Sequence, residues 1–128
     1  MTQEEKNLLL KDISARLPYG VKVLYDTQIF EVQYIEPMYE ELKLLDNETY
    51  TLPIEEVKLY LFQMSSMTDE QEIEYDATFE TIVYEDGRKD SVMTYKSFDW
   101  LNKNHFDYRD LINKGLAIDC TNLNIYKL

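Results

Sequence analysis

Any chemistry done by this chain has to pass through very few side chains. His105 is the single histidine and Cys120 the single cysteine in 128 residues, so a Ser–His–Asp or Cys–His arrangement has one available base and one available thiol. His105 lies in Asn104-His105-Phe106-Asp107, which reads as a helix-to-helix junction, where an imidazole caps a helix end or bonds across the turn. Cys120 lies close to an apolar run, and nothing cationic flanks it to lower its pKa, which predicts a buried or idle thiol. One His and one Cys make a transition-metal site only with carboxylates at ligand spacing, and no such spacing occurs. Asp69-Glu70-Gln71-Glu72 lacks the glycine and the spacing of an EF-hand loop. Gly20, Gly87 and Gly115 are too scattered to cradle a phosphate. Adjacent acids such as Glu40 and Glu41, or Glu55 and Glu56, are of the right type for acid–base work, but on an acidic surface they read as solvent-facing. The expectation is a protein with no catalytic, cofactor-binding or metal-binding residues.

The charge map says more. The net charge is −12, and it is unevenly spread: +1 over residues 1–25, −15 over residues 26–86 and +2 over residues 87–128. A negative field of that size disfavours nucleic acid and anionic lipid as partners. No run of about 18 apolar residues occurs, so no membrane-spanning helix is expected. The first residues, Thr2-Gln3-Glu4-Glu5, are unlike the basic-then-apolar start of a secretory signal. With one cysteine and no internal disulfide, the cytoplasm is the expected compartment. There the sequon match Asn47-Glu48-Thr49 is a chance occurrence.

These residues have to be positioned by the elements around them, and the length predicts one domain. Residues 1–18 predict a helix: Thr2 and Glu5 have capping-box spacing, Leu8, Leu9, Ile13 and Leu17 fall on one side, and Lys6, Lys11 and Arg16 fall largely off it. Residues 19–63 give short period-2 stretches at 21–25, 29–35, 42–44 and 50–52, with an Asp46-Asn47 turn signal. Pro53-Ile54-Glu55-Glu56-Val57 then reads as one helical turn and Lys58-Leu59-Tyr60-Leu61-Phe62 as a closing strand. Four strands, a tight turn and a fifth strand is the order of a small SH3-like antiparallel β-barrel.

Residues 64–93 form a variable acidic segment carrying two competing signals. Thr68 and Gln71 predict a helix from Asp69 to about Tyr75, whereas Ile73, Tyr75, Ala77 and Phe79 alternate at strand period. Asp86-Gly87 further predicts a hairpin pairing Thr81-Ile82-Val83 with Ser91-Val92-Met93. Residues 94–128 predict a C-terminal pair of short helices and a tail. The first is capped by Thr94 or Ser97 and carries Phe98, Trp100 and Leu101. The second runs from Asp107 to a Gly115 terminator, and Leu123-Asn124-Ile125-Tyr126 offers a last strand.

Several blocks also carry a resemblance. Leu17-Pro18-Tyr19-Gly20-Val21-Lys22, Leu52-Pro53-Ile54-Glu55-Glu56-Val57-Lys58, Met64-Ser65-Ser66-Met67-Thr68, Phe98-Asp99-Trp100-Leu101-Asn102 and His105-Phe106-Asp107-Tyr108-Arg109-Asp110-Leu111-Ile112 with Lys114-Gly115-Leu116-Ala117 appear in order. Together they resemble uncharacterised small acidic proteins encoded in prophages and mobile elements of Bacteroides-type gut bacteria. The resemblance covers most of the chain, is weakest between Glu70 and Tyr95, and implies an origin but no chemistry. The functional expectation is a non-enzymatic, phage-related accessory protein that binds an unidentified protein partner through Tyr34, Tyr39, Tyr60, Glu55, Glu56, Glu70 and Glu72. The alternative is an acidic decoy that inhibits a host nucleic-acid-binding or defence protein. Neither reading fixes the oligomeric state.

Overall fold

The computed structural model describes residues 1–44 and 51–126. Asp46, Asn47, Glu48, Thr49 and Tyr50, which carry the expected turn, the sequon and the start of a strand, lie outside the described residues.

Helix α1 (Gln3–Arg16) starts where its cap says it should. Thr2 Oγ1 accepts from the Glu5 amide at 3.1 Å and Glu5 Oε1 from the Thr2 amide at 2.9 Å, which satisfies two amides with no partner inside the helix. Pro18 then allows only a single 3-10 turn, Leu17–Tyr19, closed by Gly20 at φ +71°. The inner face of α1 differs from the apolar stripe predicted. Leu9 and Ile13 are buried, Leu8 and Leu17 only partly, and the remaining inner positions belong to Asp12 and Arg16.

The strands β1 (Lys22–Tyr25), β2 (Gln28–Glu36), β3 (Glu41–Leu44), β4 (Thr51–Pro53) and β5 (Lys58–Leu61) follow in the predicted order, with a 3-10 turn at Ile54–Glu56. β2 is long enough to serve two partners: Gln28 to Glu31 pair with β1, and the residues beyond pair with β3. A bulge at Gln33, between the Val32–Leu44 and Tyr34–Lys43 pairs, separates the two registers. Inward alternation places Val23, Val32, Leu42, Leu44, Leu52, Leu59 and Leu61 in one core with Leu9 and Ile13 of α1.

No closed barrel forms, which corrects the SH3-like expectation. Among the described residues the sheet is open, with order β4-β3-β2-β1-β5-β8. The physical reason lies at the C-terminus. Strand β8 (Ala117–Asp119) pairs in parallel with β5, matching Leu59 to Ala117 and Leu61 to Asp119, and so takes the edge of β5 that closure would need. The last strand is therefore built from Ala117–Asp119, and Leu123 to Tyr126 form none.

In the acidic segment the helical signal prevails over the alternation of Ile73 to Phe79, and the predicted hairpin follows the helix. Helix α2 (Asp69–Asp76) forms behind the reciprocal Thr68–Gln71 cap. A separate two-stranded sheet then follows, β6 (Glu80–Val83) with β7 (Lys89–Val92), turning at Gly87 with φ +87°. Helix α3 (Tyr95–Lys103) is capped by Thr94, with Ser97 closing the box. The expected partner helix is absent, a second correction. Asp107 does offer its carboxylate to the Leu111 and Ile112 amides, both at 2.9 Å, but Asp110 sits at φ +62°, outside the helical region, and residues 111–115 form only turns. Among the described residues no helix is long and apolar enough to cross a membrane.

Candidate functional site

Three places gather polar or aromatic side chains, and each is built by elements far apart in sequence. The first is internal. Arg16, with no exposure at all, sends Nε to Asp12 Oδ2 at 2.8 Å and Nη2 to Asp12 Oδ1 at 3.2 Å, and also donates to the carbonyls of Phe106 (2.7 Å) and Leu101 (3.4 Å). Arg109 Nε reaches Asp12 Oδ1 at 3.1 Å, and its Nη2 donates to Tyr108 Oη. Tyr108 in turn donates to Asn102 Oδ1 at 2.8 Å. Every donor pointed inward finds an acceptor, so the network ties α1 to α3 and to the loop after it. It offers no open position to a substrate.

The second place is a groove of about 500 Å³ between the Met64–Ser66 turn, α2, the end of β7 and α3. Met64, Tyr75, Met93, Phe98 and Tyr108 supply its apolar lining, with Asp107 and Asp110 at its side. Its walls are fixed from both ends. Thr78 Oγ1 donates to Ser97 Oγ at 2.7 Å and Thr94 Oγ1 to the Thr78 carbonyl at 2.9 Å, clamping the exit of α2 onto the cap of α3. Tyr75 stacks on Trp100 at 5.5 Å, and Trp100 on Phe106 at 5.6 Å. Phe106 meets Phe62 at 5.9 Å, and Phe62 meets Tyr126 at 6.1 Å. This seam absorbs much of the aromatic content. It leaves Phe98 43% and Met93 37% exposed at the groove. The acids Asp69, Glu70, Glu72, Glu74 and Asp76 all belong to α2, whose Tyr75 lines the groove; none is in an ion pair among the described residues, and Glu74 accepts the Trp100 indole N–H at 3.3 Å.

The third place is a cleft of about 390 Å³ at the other end of α3, lined by Tyr19, Lys22, Glu31, Lys103, His105 and Tyr126 among others. His105 stands at φ +59° and is 5% exposed. Its Nε2 lies 3.0 Å from the Tyr19 carbonyl, and its ring stacks on Tyr126 at 3.7 Å. Burial, followed by the nearby Arg16 charge, pushes its pKa down to about 4, so the imidazole is neutral at physiological pH. Tyr126 is held in place by the Lys22 amide, which donates to its Oη at 2.8 Å.

The structure scatters the residues singled out for docking. Tyr34 and Tyr39 are exposed on the β2–β3 hairpin, Glu55 and Glu56 on the turn against α1, and Glu70 and Glu72 on α2, while Tyr60 is only 6% exposed and belongs to the packing of β5. Glu55 pairs with Lys6 at 3.3 Å. No single face unites them. The groove residues Met64, Met93, Phe98 and Tyr108 are not legible together in the sequence, because α2, β7 and α3 meet only in the folded chain; the placement of Phe98 and Trp100 on one helix is the local signal. Cys120 is fully buried, and burial pushes its thiol up to about 12. Among the described residues, no three His, Cys, Asp or Glu side chains converge as metal ligands. Against known proteins, no family model, no curated sequence and no solved structure matches this chain.

Proposed function

We propose that this protein is a non-enzymatic interaction module that seats a basic, amphipathic segment of a partner protein in the groove between α2, β7 and α3. The observation that carries the reading is the pairing of half-exposed Phe98 and Met93 with five α2 acids that have no cationic partner among the described residues. An apolar anchor enters the groove, and Lys or Arg side chains beside it meet the acids of the rim. Burying such an anchor supplies most of the affinity, while the rim charges set approach rate and selectivity. The methionines Met64 and Met93 suit a surface that adapts to its guest. Cytoplasmic placement and an accessory role in a phage or mobile element belong to the same reading and rest on cysteine usage and the sequence resemblance.

Parallel affinity purifications from host lysate test it, using wild type, Phe98→Glu and Glu70→Lys/Glu72→Lys, each first checked for native circular dichroism. A partner lost by Phe98→Glu, and weakened by about tenfold in the charge variant or in high salt, is the expected result. A partner that ignores Phe98→Glu but disappears with the charge variant would replace this reading with that of an acidic decoy. Retention in both variants would overturn the groove altogether.

A further inference from the structure

The cleft at His105 holds a hydrogen-bond acceptor with nothing to accept. Nε2 faces a carbonyl oxygen, which can only accept, so Nε2 carries the ring hydrogen and Nδ1 keeps a free lone pair. Nδ1 is buried and has no hydrogen-bond partner. Leaving such an atom unsatisfied costs about 1–3 kcal/mol, and only a donor relieves it. The charge around it is also inverted relative to the chain. Lys22 and Lys103 line the cleft against one carboxylate, Glu31, while the protein as a whole carries −12.

We propose that this cleft binds a small hydroxylated oxyanion, inorganic phosphate, whose O–H is donated to His105 Nδ1 and whose anionic oxygens face the Lys22 and Lys103 ammoniums. The site is separate from the groove and shares none of its lining residues. Nδ1 is closed to solvent, so one wall has to yield, and the wall packed on the imidazole is the tail, through Tyr126. Residues 121–124 are exposed, and the tail is pinned by the Tyr126 stack on His105, by the Phe62–Tyr126 ring contact, by the Lys22 amide on the Tyr126 hydroxyl, and by Lys22 Nζ donating to the Ile125 carbonyl at 3.0 Å. The anion competes for that same Lys22 ammonium, so its arrival loosens the strap that covers the imidazole.

The lone histidine makes the test clean, because uniformly ¹⁵N-labelled protein has one pair of imidazole nitrogens. Inorganic phosphate is titrated near neutral pH at constant ionic strength, beside sulfate, an oxyanion with no hydrogen to donate, and both are repeated on Lys103→Gln, a change at an exposed position. The expected result is a saturable shift of the Nδ1 resonance with phosphate, little shift with sulfate, and affinity for phosphate reduced about fivefold in the variant. An Nδ1 resonance that phosphate does not move overturns the proposal. So does one moved equally by sulfate and equally in Lys103→Gln, which means an adventitious ion only.

Discussion

Arg16 shows what a buried charge demands of the residues around it. Its guanidinium has no exposure, and Asp12 is its only buried counter-charge among the described residues. Asp12→Asn keeps the shape and removes the charge, stranding Arg16 and the mostly buried Arg109 together. The expected loss is about 3–5 kcal/mol by urea denaturation, whereas Asp12→Leu/Arg16→Met should recover much of it, because the fully buried charge is then gone and the 19%-exposed Arg109 can turn to solvent. His105 gives a second expectation, with its sign fixed by linkage. Its pKa falls from 6.5 to about 4 on folding, so the unfolded chain binds a proton that the folded one refuses. The stabilisation is complete above pH 6.5 and is lost as pH falls toward 4. Relative to His105→Asn, which suits the left-handed backbone, wild type should lose roughly 2 kcal/mol between pH 7.5 and 5. Equal loss in both proteins would remove His105 from the account. The sequence placed His105 correctly just past a helix end but wrongly between two helices, since no second helix follows α3. It also put Arg16 off the buried face, because a spacing rule counts apolar residues and cannot see that Asp12, Arg109 and two carbonyls converge to satisfy a cation.

The elements differ sharply in how much they bury. α1 and the six strands share one core, whereas every residue from Glu80 to Ser91 in the β6–β7 hairpin is exposed and α2 buries no residue fully. A lone two-stranded hairpin is marginal in water, and this one is anchored chiefly by the Thr78–Ser97–Thr94 clamp below it. Local opening there should cost far less than global unfolding. Limited trypsin digestion should therefore cut first after Arg88 or Lys89, leaving a nicked chain that keeps its far-ultraviolet spectrum. A first cut after Lys103 or Lys114 would contradict that ranking. The starts of the helices were legible because capping boxes are local: Thr2 with Glu5 and Thr68 with Gln71 form as the spacing says. The helix-or-hairpin conflict at Ile73 to Phe79 was a real competition between periods, settled when Ala77 ended α2 and left room for β6. Closure of the barrel was not legible, since the pairing of Leu59 with Ala117 joins strands from opposite halves of the chain, and no local pattern records it.

At the scale of the whole molecule, the C-terminal strand decides whether the sheet holds together. β8 covers the edge of β5, and Leu116, Ala117 and Cys120 around it enter the core. Cys120 sits where that strand ends: its amide donates to the Leu61 carbonyl at 2.9 Å and its side chain is fully buried. Burial, with the Asp119 charge beside it, holds the thiol at about 12, so at pH 8 only about one molecule in ten thousand carries the reactive thiolate. A disulfide reagent in excess then reports how often β8 leaves the sheet. Because β8 and α1 share one core through Leu116 and Ile13, its release should coincide with global unfolding. Labelling should be slow in native buffer and should accelerate with urea at the same slope as the equilibrium transition. If labelling rises at urea concentrations that leave the circular dichroism intact, β8 peels away alone. The molecule would then be a five-stranded sheet with a detachable edge, and β8 would leave together with the tail that carries Tyr126.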